Sequence, residues 1–220
     1  MTFSMFYHRL LSCRYLSPGR LCLIFLLAPM GLMLPVSVSY AGESAVVLMY
    51  HRFGDDRYPT TNIQIKQFDA HIAELKSGPY TVLPVPEILR RQQAGEILPD
   101  RTVGITIDDA YASVYAEAWP RLRDAGLPFT LFVSADPIDD AYDDMMTWDQ
   151  LREMTAAGVT IGAHTGSHLH MPAHTHQRNS DEIQRSNARF LEELGTTPTL
   201  FAYPYGESGS PAATAAAEAG

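Results

Sequence analysis

Residues 102–109 have the sequence TVGITIDD, a short apolar run that ends in two adjacent aspartates. Similar apolar, β-branched runs occur near residues 45–50, 81–84, 128–134, 159–163 and 199–203. The stretches between them carry apolar residues at helical spacing, and two of these stretches end at Gly126 and Gly195. This alternation predicts repeated βα units around a parallel sheet of about six strands.

The helical spacing indicates where the helices of these units lie. The predicted helices cover residues 65–75, 86–93, 113–124, 148–157, 181–194 and 211–219. The acidic stretch from Asp136 to Asp144 is predicted to be a solvated loop, either a lid or a surface insertion. A barrel of βα units normally needs about 200 residues or more, so we expect the chain to end before its sheet is complete.

The first 41 residues have the layout of a secretory signal peptide. Three arginines precede an uncharged apolar run from Leu21 to Val38, and small residues follow at Ser39 and Ala41. We therefore expect cleavage after Ala41 and one exported domain over residues 42–220, in the periplasm or outside the cell. An uncleaved membrane anchor is the alternative, although two prolines weaken the run as a helix.

The charge and cysteine content exclude several classes of protein. The chain has 16 Lys and Arg against 25 Asp and Glu, and the expected mature domain keeps 13 of the basic residues and all the acidic ones, for a net charge of -12. Such a surface repels phosphate backbones and argues against nucleic acid as a partner. A neutral glycan, or one that becomes cationic, is compatible with such a surface as a partner. Both cysteines, Cys13 and Cys22, precede residue 42, so disulfides cannot stabilise the mature domain.

Three polar clusters follow predicted strands at their C-terminal ends, where a βα barrel carries its active site. They are Asp108-Asp109, His164 to His168, and Tyr203 to Gly206. Two histidines four residues apart can face one ion, and with Asp109 they would leave coordination positions open for water and substrate. Asp108 would then be free to act as general base.

Each cluster taken alone has a simpler explanation. Adjacent aspartates often belong to a turn or a helix cap, and the run Tyr203-Pro204-Tyr205-Gly206 is typical of a turn. The occurrence of all three clusters, in order and each at a strand end, favours a catalytic site.

With these motifs the sequence resembles the polysaccharide deacetylase family, also called the NodB-homology or chitin deacetylase-like family, over nearly all of residues 45–220. Residues 106–110 match its first motif, and His164 to His168 match its second completely. The resemblance implies an α/β fold, a distorted (β/α) barrel. It also implies Asp108 as general base, with Asp109, His164 and His168 as ligands of one divalent metal ion, commonly zinc.

The third motif departs from the family pattern. The family usually has Arg-x-Pro-Tyr, whereas this chain has alanine at Ala202, followed by Tyr203, Pro204 and Tyr205. The missing arginine often steadies the base. The resemblance implies that the Tyr205 backbone N–H contacts the oxyanion, and Tyr203 and Pro204 are candidate substrate contacts. Two further motifs, including a histidine that protonates the leaving amine, are expected beyond Gly220.

Other histidines have less defined roles. His51 ends the first predicted strand and is either a packing residue or a substrate contact, because related deacetylases of exopolysaccharides carry a similar Tyr-His pair. His170, His174 and His176 follow the second motif in a proline-containing loop. We expect them to be exposed to solvent rather than to form a second metal site.

The resemblance implies metal-dependent hydrolysis of N-acetyl groups from an N-acetylated amino-sugar polysaccharide, with release of acetate. Poly-N-acetylglucosamine, peptidoglycan and chitin-like polymers all carry the acetamido group. Two alternatives remain: a non-catalytic glycan-binding module, which Ala202 favours, and a metal-dependent O-acetyl esterase, since the same metal and base can attack esters. Contact with a membrane is expected only through the N-terminal signal or anchor.

Overall fold

The computed structural model describes residues 44–219, so the predicted signal peptide or anchor lies outside the described residues. Within this range no helix combines the length and the apolar character needed to cross a membrane.

Strand β5, Thr102–Asp108, is buried along its whole length and forms the centre of a parallel sheet. The other strands of this sheet are β1 (Val46–Tyr50), β4 (Thr81–Val82), β6 (Thr130–Val133) and β7 (Thr160–Ala163). Their order is β1-β5-β6-β7, and β4 pairs with one end of β5. Because β-branched residues fit a strand that is covered on both faces, the TVGITI run takes this central position.

Helices follow the strands as the periodicity predicts. They are α1 (Ile65–Ser77), α2 (Val85–Gln93), α3 (Trp119–Ala125), α4 (Ala135–Asp139), α5 (Trp148–Ala156), α6 (His176–Leu194) and α7 (Ser210–Glu218). A π-helical turn, Val114–Ala118, precedes α3, and 3₁₀ turns occur at Met171–Ala173 and Pro204–Gly206. A Cβ atom at Gly104 would lie 3.1 Å from Ile88, so glycine there lets α2 pack closely on β5.

Side chains from the sheet and the surrounding helices form the main core. Ile105 and Ile107 of β5 pack with Leu131 and Val133 of β6 and with Phe190 of α6, all of them buried. A smaller cluster under α7 contains Met171, Ile183, Ala212 and Ala215. The burial of these apolar side chains between a parallel sheet and the helices that cover it confirms the predicted α/β architecture.

Two expectations for individual elements need correction, and one pair of strands was not expected. The strand predicted at 199–203 is a single parallel bridge between Phe201 and Ala163. Helix α6 begins at His176 and not at 181, because the Thr175 side chain accepts a hydrogen bond from the Arg178 N–H and caps the helix. A second pair of short strands, β2 (Arg52–Phe53) and β3 (Asn62–Ile63), has no counterpart in the sequence prediction.

The acidic stretch at 136–144 is not simply a solvated loop. Its first residues belong to α4, and Asp136 and Asp139 form ion pairs with Arg185 and Arg189 of α6, each at 2.8 Å. These pairs connect α4 to α6. The prediction was wrong here because the basic partners lie about 50 residues further along the chain, where no local pattern reveals them.

Candidate active site

The C-terminal ends of β5 and β7 bring together three side chains that could hold a metal ion. The Asp109 Oδ1 atom lies 3.6 Å from His164 Nε2 and 3.2 Å from His168 Nε2. One ligand atom of each residue lies within 4.8 Å of the others. This spacing is short enough for all three to contact a single ion.

The imidazole of His164 is held in the form that binds a metal. Its Nδ1 atom lies 2.9 Å from the carbonyl oxygen of Ala202, and a carbonyl can only accept, so Nδ1 carries the proton. The lone pair of Nε2 is then directed towards Asp109. Burial lowers the pKa of His164 to about 4, which keeps the ring neutral near pH 7.

The second imidazole has similar chemistry. Burial also lowers the pKa of His168, although the nearby Asp109 opposes that effect. Two neutral imidazoles and one carboxylate are the donor set of many catalytic zinc sites. The side chains of Asp109, His164 and His168 therefore fit a divalent metal ion such as zinc.

Unusual backbone geometry is concentrated at this site. Of seven non-glycine residues with positive φ in the described range, five lie here: Asp109, Ala110, Thr165, His168 and Tyr205. Such conformations cost about 1–3 kcal/mol each and occur where the surrounding structure fixes a functional geometry. In a regular strand the side chains of residues 108 and 109 would point to opposite faces. The left-handed turn at Asp109 ends β5 and allows both carboxylates to face one site.

Asp108 occupies a different environment from Asp109. It is buried, and burial together with the adjacent charge of Asp109 raises its pKa to about 7. Its Oδ2 atom lies 3.9 Å from His51 Nε2. Burial lowers the pKa of His51, with Asp109 opposing the shift. A carboxyl group that titrates near pH 7 is suited to accept and release a proton.

The third motif lies beside His164 and His168, and its residues differ in exposure. Tyr205 is exposed, and its ring packs edge-on against His168 with centroids 4.4 Å apart. Pro204 is buried, and Tyr203 packs against Phe201 in the cluster under α7. Of these three motif residues, Tyr205 has the most exposed side chain, and its ring lies beside His168.

Sequence reasoning did not identify Arg52 as a site residue. Its guanidinium is buried between the rings of Tyr58 and Tyr111, 3.8 Å and 3.4 Å from their centroids, and it donates to Asp144 at 2.7 Å. Tyr111 follows the Asp-Asp pair, and burial and the nearby Asp109 raise its pKa to about 12. Arg52 directly follows His51, but its partner Asp144 is 92 residues away, so the sequence contains no local signal for this contact.

The loop between the two histidines is fixed by a second residue that sequence reasoning missed. Glu182 of α6 is fully buried and accepts hydrogen bonds from the Ser167 N–H at 2.8 Å and hydroxyl at 3.0 Å. Arg178 and Arg185 pair with the same carboxylate. A Cβ atom at Gly166 would lie 2.7 Å from the Arg185 guanidinium, so a larger residue there would require the Arg185 side chain to shift.

Two cavities differ in their relation to these side chains. A cavity of about 220 Å³ is lined by Arg52, Tyr111 and Asp144 together with Asp109 and His168. A larger one of about 440 Å³ lies where residues 126–130 and 157–160 lead into β6 and β7, at the opposite end of the sheet. We place the active site at the smaller cavity because it contains the convergent ionisable groups.

Comparisons with known proteins are consistent with these observations. A family model described as polysaccharide deacetylase matches residues 95–220. The Bacillus subtilis protein YxkH, a polysaccharide deacetylase by name, is 28% identical over 160 residues, which is 73% of this chain and 56% of YxkH. The chain thus spans little more than half the length of that relative. A Staphylococcus aureus poly-beta-1,6-N-acetyl-D-glucosamine N-deacetylase is 25% identical over 201 residues, covering 78% of this chain and 68% of the enzyme.

Solved structures share the fold. IcaB from Ammonifex degensii is 28% identical with a TM-score of 0.72, and the match covers 81% of this chain and 82% of that one. The Streptococcus pyogenes deacetylase PplD, solved in complex with acetate, is 22% identical with a TM-score of 0.73 and 80% coverage of each chain. These likenesses confirm the predicted deacetylase-type α/β fold.

Proposed function

Because this chain belongs to the polysaccharide deacetylase family, we propose that it hydrolyses the N-acetyl groups of an amino-sugar polysaccharide and releases acetate. The observation that carries the proposal is the convergence of Asp109, His164 and His168 beside the separately buried Asp108. A module that only binds glycan needs neither a buried carboxyl group of raised pKa nor a metal-binding cluster next to it.

Each residue of the site has a defined part in this reaction. Asp109, His164 and His168 would hold the metal. A divalent ion bound there would supply Lewis-acid chemistry toward the amide carbonyl and the attacking water. Asp108 takes a proton from that water as its oxygen adds to the carbonyl carbon. The Tyr205 N–H donates to the oxyanion, a contact that can contribute about 3 kcal/mol in the transition state.

The amide C–N bond then breaks, and the departing nitrogen needs a proton. The family pattern would supply a histidine beyond Gly220 for this step. Within the described residues, the imidazole of His51 lies 3.9 Å from Asp108, at the same strand ends. We propose that the proton that Asp108 took from the water reaches this nitrogen by way of the His51 imidazole, and acetate and the free sugar amine are the products. The position of His51 beside the base also gives Asp108 a partner where Ala202 replaces the family's arginine.

We propose poly-N-acetylglucosamine as the substrate. The Staphylococcus aureus relative is named for this polymer, and the net charge of -9 is compatible with a neutral glycan that becomes cationic as amines are released. We also propose that the protein acts outside the cytoplasm. The signal-like layout of residues 1–41 supports export, with cleavage after Ala41 or retention as an anchor.

The test compares amide and ester substrates of the zinc-loaded protein. Acetate release is measured with β-1,6-linked N-acetylglucosamine oligomers and with an O-acetylated sugar of similar size. We expect release from the amide, and Asp108→Asn should lower its turnover by about 10²- to 10⁴-fold. Release from the ester alone would replace the N-deacetylase with an O-acetyl esterase. Oligomer binding that is unaffected by a chelator, with no release from either substrate, would instead identify a glycan-binding module.

A further inference from the structure

Two stacked rings that the proposed reaction does not use lie beside the candidate metal ligands. The rings of His170 and Tyr205 are 3.7 Å apart between centroids and inclined by only 4°. The Tyr205 ring also contacts the ring of His168 at 4.4 Å. The stacked pair is therefore continuous with the side chains that would hold the metal.

Both rings remain open to solvent although they are fixed in place. Tyr205 is 56% exposed and the His170 side chain is 54% exposed. The Nδ1 atom of His170 lies 2.9 Å from a carboxylate oxygen of Glu207, and Tyr205 has a left-handed backbone with φ 61°. A positive φ at a non-glycine residue that presents an aromatic ring to solvent supports a functional hypothesis for this surface.

We propose that His170 and Tyr205 form a stacking platform for a pyranose ring of the glycan, next to the acetamido group that reacts. This inference rests on the proposed function and adds a binding site to it. The C–H groups on one face of a pyranose form an apolar patch. The outer face of the His170 ring, which Tyr205 supports from behind, presents a flat surface of matching size with polar edges. Glu207 acts as a positioning residue because its carboxylate holds His170 against Tyr205.

The charge of the platform also suits an amino sugar. Glu207 places a carboxylate at its edge, where it favours a neutral or cationic sugar and disfavours an acidic one. A glycan that gains amines as it is deacetylated therefore remains compatible with this surface.

The chain contains a matched histidine for comparison. His176 also pairs with a glutamate at 2.9 Å, in this case Glu218, and both of these side chains are exposed. This pair joins the start of α6 to the end of α7. Substitution of His176 therefore removes an exposed histidine–glutamate pair and leaves the stacked rings intact.

The experiment compares His170→Ala, His170→Phe and His176→Ala in the zinc-loaded protein. We expect His170→Ala to raise KM for an N-acetylglucosamine oligomer by roughly 3- to 10-fold, the effect of one aromatic stacking contact. Bound zinc and kcat should change little. His170→Phe keeps a flat ring and should restore KM, and His176→Ala should match the wild type.

Calorimetric titration of each variant with the same oligomer provides a readout that does not depend on turnover. The dissociation constant should rise for His170→Ala by the same factor as KM, even in a preparation that releases no acetate. An absence of acetate release from the wild type with intact oligomer binding would overturn the proposed function, and a raised dissociation constant for His170→Ala would still support the platform. Unchanged oligomer affinity in His170→Ala would overturn the platform, as would a loss of bound zinc in that variant.

Discussion

Asp108 and Asp109 are adjacent in sequence but have different surroundings, and this difference assigns their roles. Asp109 faces two imidazole nitrogens, whereas Asp108 is buried without a close cation and has a pKa raised to about 7. Two carboxyl groups held in different environments are typical of a divided catalytic task. Asp109 is placed to bind an ion, and Asp108 is placed to exchange a proton.

The raised pKa of Asp108 predicts how the stability of the metal-free protein depends on pH. The folded state holds the proton up to about pH 7, whereas an unfolded aspartate releases it near 3.8. The free energy of unfolding therefore falls as the pH rises through this window. Asp108→Asn removes the titration, so its Tm should exceed that of the wild type above pH 7, with a difference that shrinks towards pH 4.

Thermal unfolding of the metal-free proteins at several pH values measures this effect. Asp100→Asn is the control, because Asp100 is exposed and lies near the opposite end of β5. A Tm difference between Asp108→Asn and the wild type that is constant with pH would contradict the account.

Among the individual site residues, those at the ends of strands could be predicted from the sequence. Parallel strands bring their C-terminal ends to one edge of the sheet, so Asp109 and His164 could be expected to meet. Arg52 and Glu182 could not be predicted in the same way. Their contacts depend on how a loop and a helix pack, and both residue types are common on exposed surfaces.

At the scale of elements, α6 supports the loop that carries the two histidines. The fully buried Glu182 accepts two hydrogen bonds from Ser167, midway along this loop. Removing its charge should loosen the loop and separate the imidazoles. Because residues that orient metal ligands typically contribute 10- to 100-fold in affinity, we expect Glu182→Gln to weaken zinc binding by about that factor.

Competition with a zinc chelator measures this affinity. Glu192→Gln provides the control, since Glu192 lies on the same helix and is exposed. Equal zinc affinity in Glu182→Gln and Glu192→Gln would show that α6 does not organise the site.

Arg52 connects three further segments around the active-site cavity. Its planar group stacks between Tyr58 and Tyr111 and pairs with Asp144. A lysine keeps the charge but loses the planar stacking, so we expect Arg52→Lys to lower the free energy of unfolding by about 1–2 kcal/mol. Urea denaturation measures the change. Arg57→Lys is the control. Arg57 is 71% exposed, so the same substitution there should leave the free energy of unfolding nearly unchanged.

The longer strands could be predicted from sequence patterns, whereas the shortest helix and strands could not. The apolar runs predicted β5, β6 and β7 because each is long enough to carry a buried pattern. Helix α4 has only five residues and lies in an acidic stretch, and its ion pairs with α6 join residues too far apart in sequence for a local pattern to show. The two-residue strands β2 and β3 are too short for any periodicity.

At the scale of the whole molecule, the acidic surface predicts which glycans are accepted. A net charge of -9 repels a glycan that carries carboxylates but has little effect on a neutral one. Raising the salt from about 10 mM to about 150 mM shortens the screening length from about 30 Å to 8 Å. KM should therefore fall with salt for a carboxylated N-acetylated glycan and stay constant for an N-acetylglucosamine oligomer. A KM that rises with salt for the carboxylated glycan would instead favour an acidic substrate.

In the proposed mechanism one metal ion, held by Asp109 and two histidines, is required for acetate release. The most direct measurement compares bound zinc and acetate release from N-acetylglucosamine oligomers in the wild type, Asp109→Ala and Asp100→Ala. We predict that Asp109→Ala loses both together, while Asp100→Ala, altered near the far end of the same strand, keeps both. Full acetate release by a zinc-free Asp109→Ala protein would contradict the account.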